Sequence, residues 1–364
     1  MSGIAAMISW REGAVDFEAL RRIGKRQLYR GGVCEAQLRK HAILWENRER
    51  LHTAHEPCAD DKDGRILVCV DSDTLSAREL LEAYRAFGYE LTLHLDGNYA
   101  AVIYDEGHGE AILVRDAMGQ RPLYYTFEQD RMFTASSPRA LFTVYQEGLR
   151  CPREALERLV MGTLPRPCAL YDGIHEVRSG QLTVYSRLGL SVRYDVKQED
   201  LRPCDAPLLL PPPPADANTL YTLLQRALYT DGLPSAEPIT LSYMSLLSQS
   251  TEDRLTVADP RMGLCPEQAR RDADRLGALY GKHVTPTFGR YVLALGAQRR
   301  LCRQLRHMLE NTVQNNPALC TLVGNELIDK AKQIASPLRR AGAFCRLLQL
   351  DMLSRHYSLR RIES

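Results

Sequence analysis

His52, His55 and Cys58 lie three apart in His52-Thr53-Ala54-His55-Glu56-Pro57-Cys58, and Asp60, Asp61 and Asp63 follow. Imidazole, thiolate and carboxylate are the groups that hold zinc, so this stretch is the first candidate for metal chemistry. It offers no fourth ligand at a recognisable spacing and carries Pro57 in a polar run. It therefore reads as a solvated loop, and no metal is expected. The ten cysteines, at 34, 58, 69, 151, 168, 204, 265, 302, 320 and 345, include no Cys-X-X-Cys pair. Free thiols in a reducing, cytoplasmic compartment are the expectation. Arginines gather at Arg299, Arg300, Arg303 and Arg306, and again from Arg339 to Arg361. With a net charge of only +2 and helical spacing, they read as solvated helix faces and not as a nucleic-acid surface.

The elements that must position any site follow from periodicity. At 364 residues, 45% apolar and 25% charged, the chain is long enough for two domains with real cores. No apolar run approaches the roughly 20 residues that cross a bilayer, so no membrane partner is expected. Met1–Ile8 has no basic start and reads as a strand. Tyr99–Tyr104 and Ala111–Val114 are β-rich runs around a polar, Gly-bearing turn. Leu123–Phe127 and Arg131–Ala135 continue the pattern, which predicts an antiparallel meander. Leu75–Phe87 is a helix, with Ser76 as its cap and Glu79 three residues later. Short helices are expected at 137–146 and 153–162. The prolines between Arg202 and Asn218, four of them at 211–214, exclude helix and central strand and mark a semi-rigid linker. Beyond it come a helix at 219–229, a strand entering at Pro238, a strand at Leu255–Val257, a helix at Glu267–Tyr280, a strand at Gly281–Thr285, and helices at 291–311 and 323–334.

The order Leu95-Asp96-Gly97, a strand closing on Asp105, then Arg115-Asp116, Gly119, Pro122-Leu123-Tyr124-Tyr125 and Phe133-Thr134-Ala135-Ser136 resembles the N-terminal half of the glutamine-dependent asparagine synthetases. A second block agrees in order: Gly162-Thr163-Leu164-Pro165, Leu170-Tyr171-Asp172-Gly173-Ile174 and Ser179-Gly180-Gln181-Leu182. The chain is also similar to the lasso-peptide cyclases and β-lactam synthetases of that superfamily. The resemblance implies three parts. Residues 1–201 form a glutamine amidotransferase-like (Ntn-type) αββα sandwich of antiparallel sheets, and 202–218 are the Pro-rich linker. Residues 219–364 form a shortened, helix-rich, Rossmann-like ATP-pyrophosphatase domain of the asparagine-synthetase type.

The resemblance also assigns roles. In the family the residue after the initiator Met is a cysteine whose freed α-amine serves as its base; here it is Ser2, in an otherwise matching Met1-Ser2-Gly3-Ile4. A serine hydroxyl has essentially no ionised fraction near neutrality, so the exchange weakens the nucleophile. Tyr29-Arg30-Gly31-Gly32 is a worn version of the family's Arg-Gly-Pro-Asp loop. Arg50 stands where the family holds the glutamine carboxylate, and Asp73 of Ser72-Asp73-Thr74 where it holds the α-amino group. The Asn-Gly oxyanion motif between them reads as deleted, which forfeits about 2.7–4 kcal/mol of barrier lowering per donor. In the second half the family's Leu-Ser-Gly-Gly-X-Asp-Ser-Ser pyrophosphate loop falls on Leu241 to Ser248. Ser242 and Ser248 remain, but Tyr243 and Met244 replace the glycines and Leu246 the aspartate. Bulky side chains stand where backbone amides must approach phosphate. Gly324 to Asp329 and Leu350 to Arg361 correspond to later family segments.

The expectation is a degenerate asparagine-synthetase-like protein, a non-catalytic partner or scaffold that needs no cofactor, with an intact homologue or another biosynthetic protein as partner. The alternative is an ATP- and Mg-dependent amide-bond-forming enzyme that works with a second subunit. Whether the chain is an enzyme stays open at this level.

Overall fold

The computed structural model describes residues 2–11, 15–48, 58–61, 63, 65–164, 170–189, 191–195, 210–214, 216–259, 266–288 and 295–362. Its strands are β1 Ser2–Ser9, β2 Val33–Leu38, β3 Ala42–Arg48, β4 Cys58–Asp60, β5 Ile66–Ser72, β6 Tyr99–Asp105, β7 Glu110–Arg115, β8 Tyr124–Glu128, β9 Arg131–Ala135, β10 Leu149–Pro152, β11 Ile174–Glu176, β12 Gln181–Ser186, β13 Ser191–Asp195, β14 Arg254–Asp259, β15 His283–Phe288 and β16 Leu359–Ile362. The α-helices are α1 Phe17–Lys25, α2 Ala77–Phe87, α3 Pro138–Leu141, α4 Arg153–Met161, α5 Ala217–Asp231, α6 Pro238–Gln249, α7 Pro266–Leu279, α8 Leu295–Asn315, α9 Pro317–Val323, α10 Asn325–Gln333 and α11 Pro337–His356. The chain divides into two compact units, one of Met1–Val144, Gly173–Arg202 and Pro266–Arg271, the other of Tyr145–Asp172, Pro203–Cys265 and Asp272–Ser364. The division is not linear at the proline run, because Tyr145–Asp172 groups with the later residues.

In the first unit two six-stranded antiparallel sheets, ordered β11-β8-β9-β1-β3-β2 and β13-β12-β7-β6-β5-β4, lie face to face. Strand alternation sends every second residue inward. Ile4, Ala6, Ala42 and Leu44 of one sheet meet Leu67, Cys69, Val102 and Leu113 of the other in one buried core. The opposite residues of the second sheet, Val68, Val70, Ala101 and Ile103, pack on Leu80, Leu81 and Tyr84 of α2. Ser76 caps α2 by accepting from the Glu79 amide, with the reciprocal carboxylate bond, as its spacing predicts. On the outer face of the first sheet α1 buries Leu20 and Ile23. Its Gly24 leaves room for the Trp45 indole, whose Nε1 would stand 2.2 Å from an added Cβ. This is the expected αββα sandwich.

The four strands read as one meander are two hairpins in different sheets, since β6 pairs with β7 and β8 with β9, while β7 pairs onward with β12. The crossing turn is built on Arg115 and Asp116. The Arg115 guanidinium donates to the carbonyls of Arg121 and Gly119, each at 2.8 Å. Asp116 accepts from the amides of Met118 and Gln120 at 2.8 and 3.3 Å. Gly119 takes a φ of 59°, which an L side chain rarely adopts. The Arg-Asp-X-X-Gly wording is therefore the knot that carries the chain between sheets.

In the second unit Ala341–Leu353 of α11 is buried throughout. Its polar members tie neighbouring helices together. Arg346 donates to the Val160 carbonyl at the end of α4 and, at 2.9 Å, to Glu237 ahead of α6. Gln349 donates to Leu224 O and accepts from the Ala236 amide, both at 2.9 Å. A parallel β14–β15 pair with α7 between them in sequence forms a minimal βαβ unit. β10 and β16 make a second parallel pair.

Candidate active site

At one end of the space between the two sheets, polar groups replace the apolar core. Ser2, Ile4, Ala6 and Ile8 alternate on the inner face of β1, as do Ala42, Leu44 and Glu46 on β3, and Leu67, Cys69 and Asp71 on β5. The sheet register sets Glu46 opposite Ile4, one step along the inner face from Ser2. The layer thus ends in Ser2, Glu46 and Asp71.

Asp71 is fully buried and surrounded by donors. The Ser2 hydroxyl donates to its Oδ1 at 3.0 Å, and Arg30 Nη1 and the Ser136 hydroxyl reach its Oδ2 at 3.1 and 3.4 Å. Arg121 Nη1 lies 3.6 Å from Oδ1, and its Nη2 pairs with Asp73. Arg30 also donates to Ser2 O at 3.2 Å. Its stem passes over Gly3, where a Cβ would come within 2.7 Å of Arg30 Cδ, so Gly3 is required by this arginine. Arg30 and Arg121 are each 1% exposed, so the charges are compensated within the cluster.

Asp73 is a quarter exposed and fixed from a second side. Its amide donates to Asn98 Oδ1 at 3.3 Å, and Asn98 Nδ2 stands 3.5 Å from its carboxylate. The Ser72 hydroxyl donates to Asn98 O at 2.6 Å while accepting from the amides of Thr74 and Leu75. Gly97, with φ 98°, leaves no space for a Cβ against Thr74 Oγ1. Leu95-Asp96-Gly97 and Ser72-Asp73-Thr74 are thus two halves of one interlock.

Glu46 is 1% exposed, and its Oε2 has no hydrogen-bond partner among the described residues. Burial, opposed by Arg48 and reinforced by Glu35 and Asp71, pushes its carboxyl up to about 8. Its neighbour Asn47 faces outward, accepting from Trp45 Nε1 at 3.1 Å and donating to Gly31 O and Cys34 Sγ.

The structure places Ser2 and Asp73 in one cluster, together with Arg30, Glu46, Asp71, Arg121 and Ser136. Arg50, His52 and His55 lie outside the described residues. Among those described, no group of three His, Cys, Asp or Glu side chains could hold a metal. The missed carboxylates had a signal in the sequence, since Glu46 and Asp71 are single acids at inward positions of apolar strands.

The second candidate site takes another form. Pro238–Gln249 is one helix and not a strand entering a loop. Pro238 occupies its first turn, Thr240 Oγ1 accepts from the Glu237 amide at 3.3 Å, and no glycine or proline interrupts it before Ser250. A short apolar run does not distinguish strand from buried helix by periodicity, which is why the strand reading fails here. Ser242, Tyr243 and Met244 are fully buried in α6, Leu246 is half-buried and Ser248 exposed. Helical amides of 242–248 are committed within the helix, and filled side-chain volume occupies the glycine positions. These residues do not fit a nucleotide's phosphates with magnesium. Gly324 starts α10 with φ 80°, and Glu326 pairs with Lys330 on its surface.

Residues 68–194 match the family described as glutamine amidotransferase domain. Over 116 residues the chain is 32% identical to an asparagine synthetase [glutamine-hydrolyzing] of Bacillus subtilis, covering 31% of this chain and 18% of that one. Over 105 residues it is 25% identical to amidase chry2 of Gibberella zeae, covering 29% of this chain and 15% of that one. The aligned part thus spans less than a fifth of either relative. A glutamine phosphoribosylpyrophosphate amidotransferase structure from B. subtilis superposes with a TM-score of 0.41 at 12% identity, over 81% of this chain and 70% of that one. Among the described residues no helix is long and apolar enough to cross a membrane.

Proposed function

We propose that the protein, whose residues 68–194 match a glutamine amidotransferase domain, keeps the fold of the asparagine-synthetase-like amidotransferases without their chemistry and acts through its surface as a partner or scaffold. The observation that carries this reading is the direction of the Ser2 hydroxyl. It donates to Asp71, which two buried arginines already hold, so the oxygen at the nucleophile position is a structural donor in an ion cluster. Nucleophilic use would require a base to take that proton and an unhindered oxygen lone pair aimed at a carbonyl. The helical, side-chain-filled segment 242–248 supports the same conclusion for ATP. An intact asparagine-synthetase homologue, or another biosynthetic protein, is the first partner to test.

The test is biochemical. The full chain is expected to release no ammonia from glutamine and to catalyse no aspartate-dependent ATP–pyrophosphate exchange on its own, and to add nothing to either activity of an intact homologue when mixed with it. It is expected to form a complex with such a homologue that survives gel filtration. Either activity in the chain alone overturns the reading, and activity in the mixture beyond the homologue's own favours amide-bond formation shared between two subunits.

A further inference from the structure

Cys58 and Cys69 belong to no common motif in the sequence, yet the fold sets them side by side. They face each other across the antiparallel β4–β5 ladder. The Asp61 amide donates to Ile66 O at 3.1 Å, which makes 61 and 66 a hydrogen-bonded pair. Pairs alternate along such a ladder, so 58 and 69 form a non-hydrogen-bonded pair, the kind whose Cα atoms stand about 4.5 Å apart with side chains closest. That spacing lies within the roughly 4.4–6.8 Å that a disulfide spans. Both side chains point to the inner face, Cys69 fully buried and Cys58 packed against the same core but partly exposed. The Cys58 thiol is close enough to Cys69 to help hold the Cys69 thiol above its ordinary range, after burial. Cys69 also donates to the Trp45 carbonyl at 3.7 Å.

We propose that Cys58 and Cys69 are a reversible dithiol–disulfide pair, oxidised by exchange with a low-molecular-weight disulfide. The Cys58 thiolate, the accessible one, attacks one sulfur of the oxidant RSSR. A Cys58–SR bond forms, the S–S bond breaks and one thiolate leaves. Cys69 then attacks the Cys58 sulfur, the second RS group departs, and it takes up the proton that Cys69 gives up. Two protein thiols and one RSSR become one protein disulfide and two RSH. Burial holds the Cys69 thiol well above the ordinary range, so the second step is the slow one. The closed bond would brace β4 against β5 two residues from Asp71, the carboxylate that receives the Ser2 hydroxyl.

The experiment equilibrates the full chain with mixtures of oxidised and reduced glutathione, quenches by alkylation under denaturing conditions and digests with trypsin. Cleavage at Lys62 and Arg65 separates the two cysteines. Oxidation is expected to join the peptides 51–62 and 66–78, to abolish alkylation of both thiols, and to reverse with dithiothreitol. Cys58→Ser, at the less buried partner, is expected to abolish the joined peptide and leave Cys69 alkylatable, whereas exposed Cys34→Ser leaves the link intact. A stable glutathione adduct on Cys58 with Cys69 still free, or a link from either cysteine to a third, overturns the proposal.

Discussion

The Ser2 end of the sandwich and the α6 segment are filled in opposite ways. Around Ser2 the side chains are polar, and Asp71, Arg30, Arg121 and Asp73 compensate one another in one buried network. In α6, by contrast, Tyr243 and Met244 are buried and serve as core. The difference separates two kinds of stability. A buried ion cluster is sensitive to losing any single partner, because an uncompensated charge remains, whereas an apolar core loses contacts in proportion to the volume removed. Substitution should therefore read out differently at the two places.

The largest effect is expected for Asp71→Ala, which strands two guanidinium groups out of water. A loss of about 3–5 kcal/mol in urea unfolding is expected, with salt unable to restore it. A loss below about 1 kcal/mol, the range of exposed ion pairs, would mean that water reaches the cluster. Met244→Ala comes next, with about 2–5 kcal/mol expected from lost burial and the cavity left behind. Isothermal titration with ATP and magnesium should show no binding to this variant. Binding regained by opening that space would undo the contrast, because α6 would then be a plugged site and not a core helix.

What the sequence discloses at the two places differs for the same physical reason. The interlock of Ser72-Asp73-Thr74 with Leu95-Asp96-Gly97 and the knot at Arg115 and Asp116 are local turn chemistry, in which glycine and side-chain-to-backbone bonds leave a readable pattern. The strands β6 to β9 are legible for the same reason. Their assignment to separate sheets is not, because pairing is a long-range property that alternation does not encode. Nor was the cluster around Asp71, whose members come from residues 2, 30, 71, 121 and 136. Only the odd inward acids Glu46 and Asp71 betray it. The apolar run at 238–248 looks alike as strand or helix, and the resemblance to a glycine loop favours the strand although no glycine or internal proline breaks the run.

An effect that is gentler at each pH step, and a sharper test, concerns Glu46. Its folded-state carboxyl titrates near 8 against an ordinary value of 4.5. Over that window the folded protein binds a proton that the unfolded chain has released, so stability falls as pH rises. The stabilisation is complete below about 4.5 and exhausted above about 8. The slope should approach about 1.4 kcal/mol per pH unit. Glu46→Gln keeps the shape without the titration and should flatten the unfolding free energy between these limits. If the parent is already flat there, the inner end of the sheets is wet and the network is not closed.

The least perturbing change tests the comparison most directly. Ser2→Cys puts a thiol, the nucleophile type of the enzymes that the sequence resembles, at a position whose hydroxyl donates to Asp71. A thiol is a weaker donor, so the bond to the carboxylate should weaken by about 1–2 kcal/mol, since hydrogen bonds to charged groups lie at the upper end of their range. If geometry were all that the site lacked, a thiol would restore glutamine hydrolysis. The expectation is background ammonia release, because Asp71 would still orient the side chain inward and Arg121 would still occupy Asp73. Hydrolysis by Ser2→Cys, lost again in Ser2→Ala, would show that the ion cluster supports catalysis instead of replacing it. The Ser2 end would then be a dormant site, and only the α6 segment would be truly rebuilt.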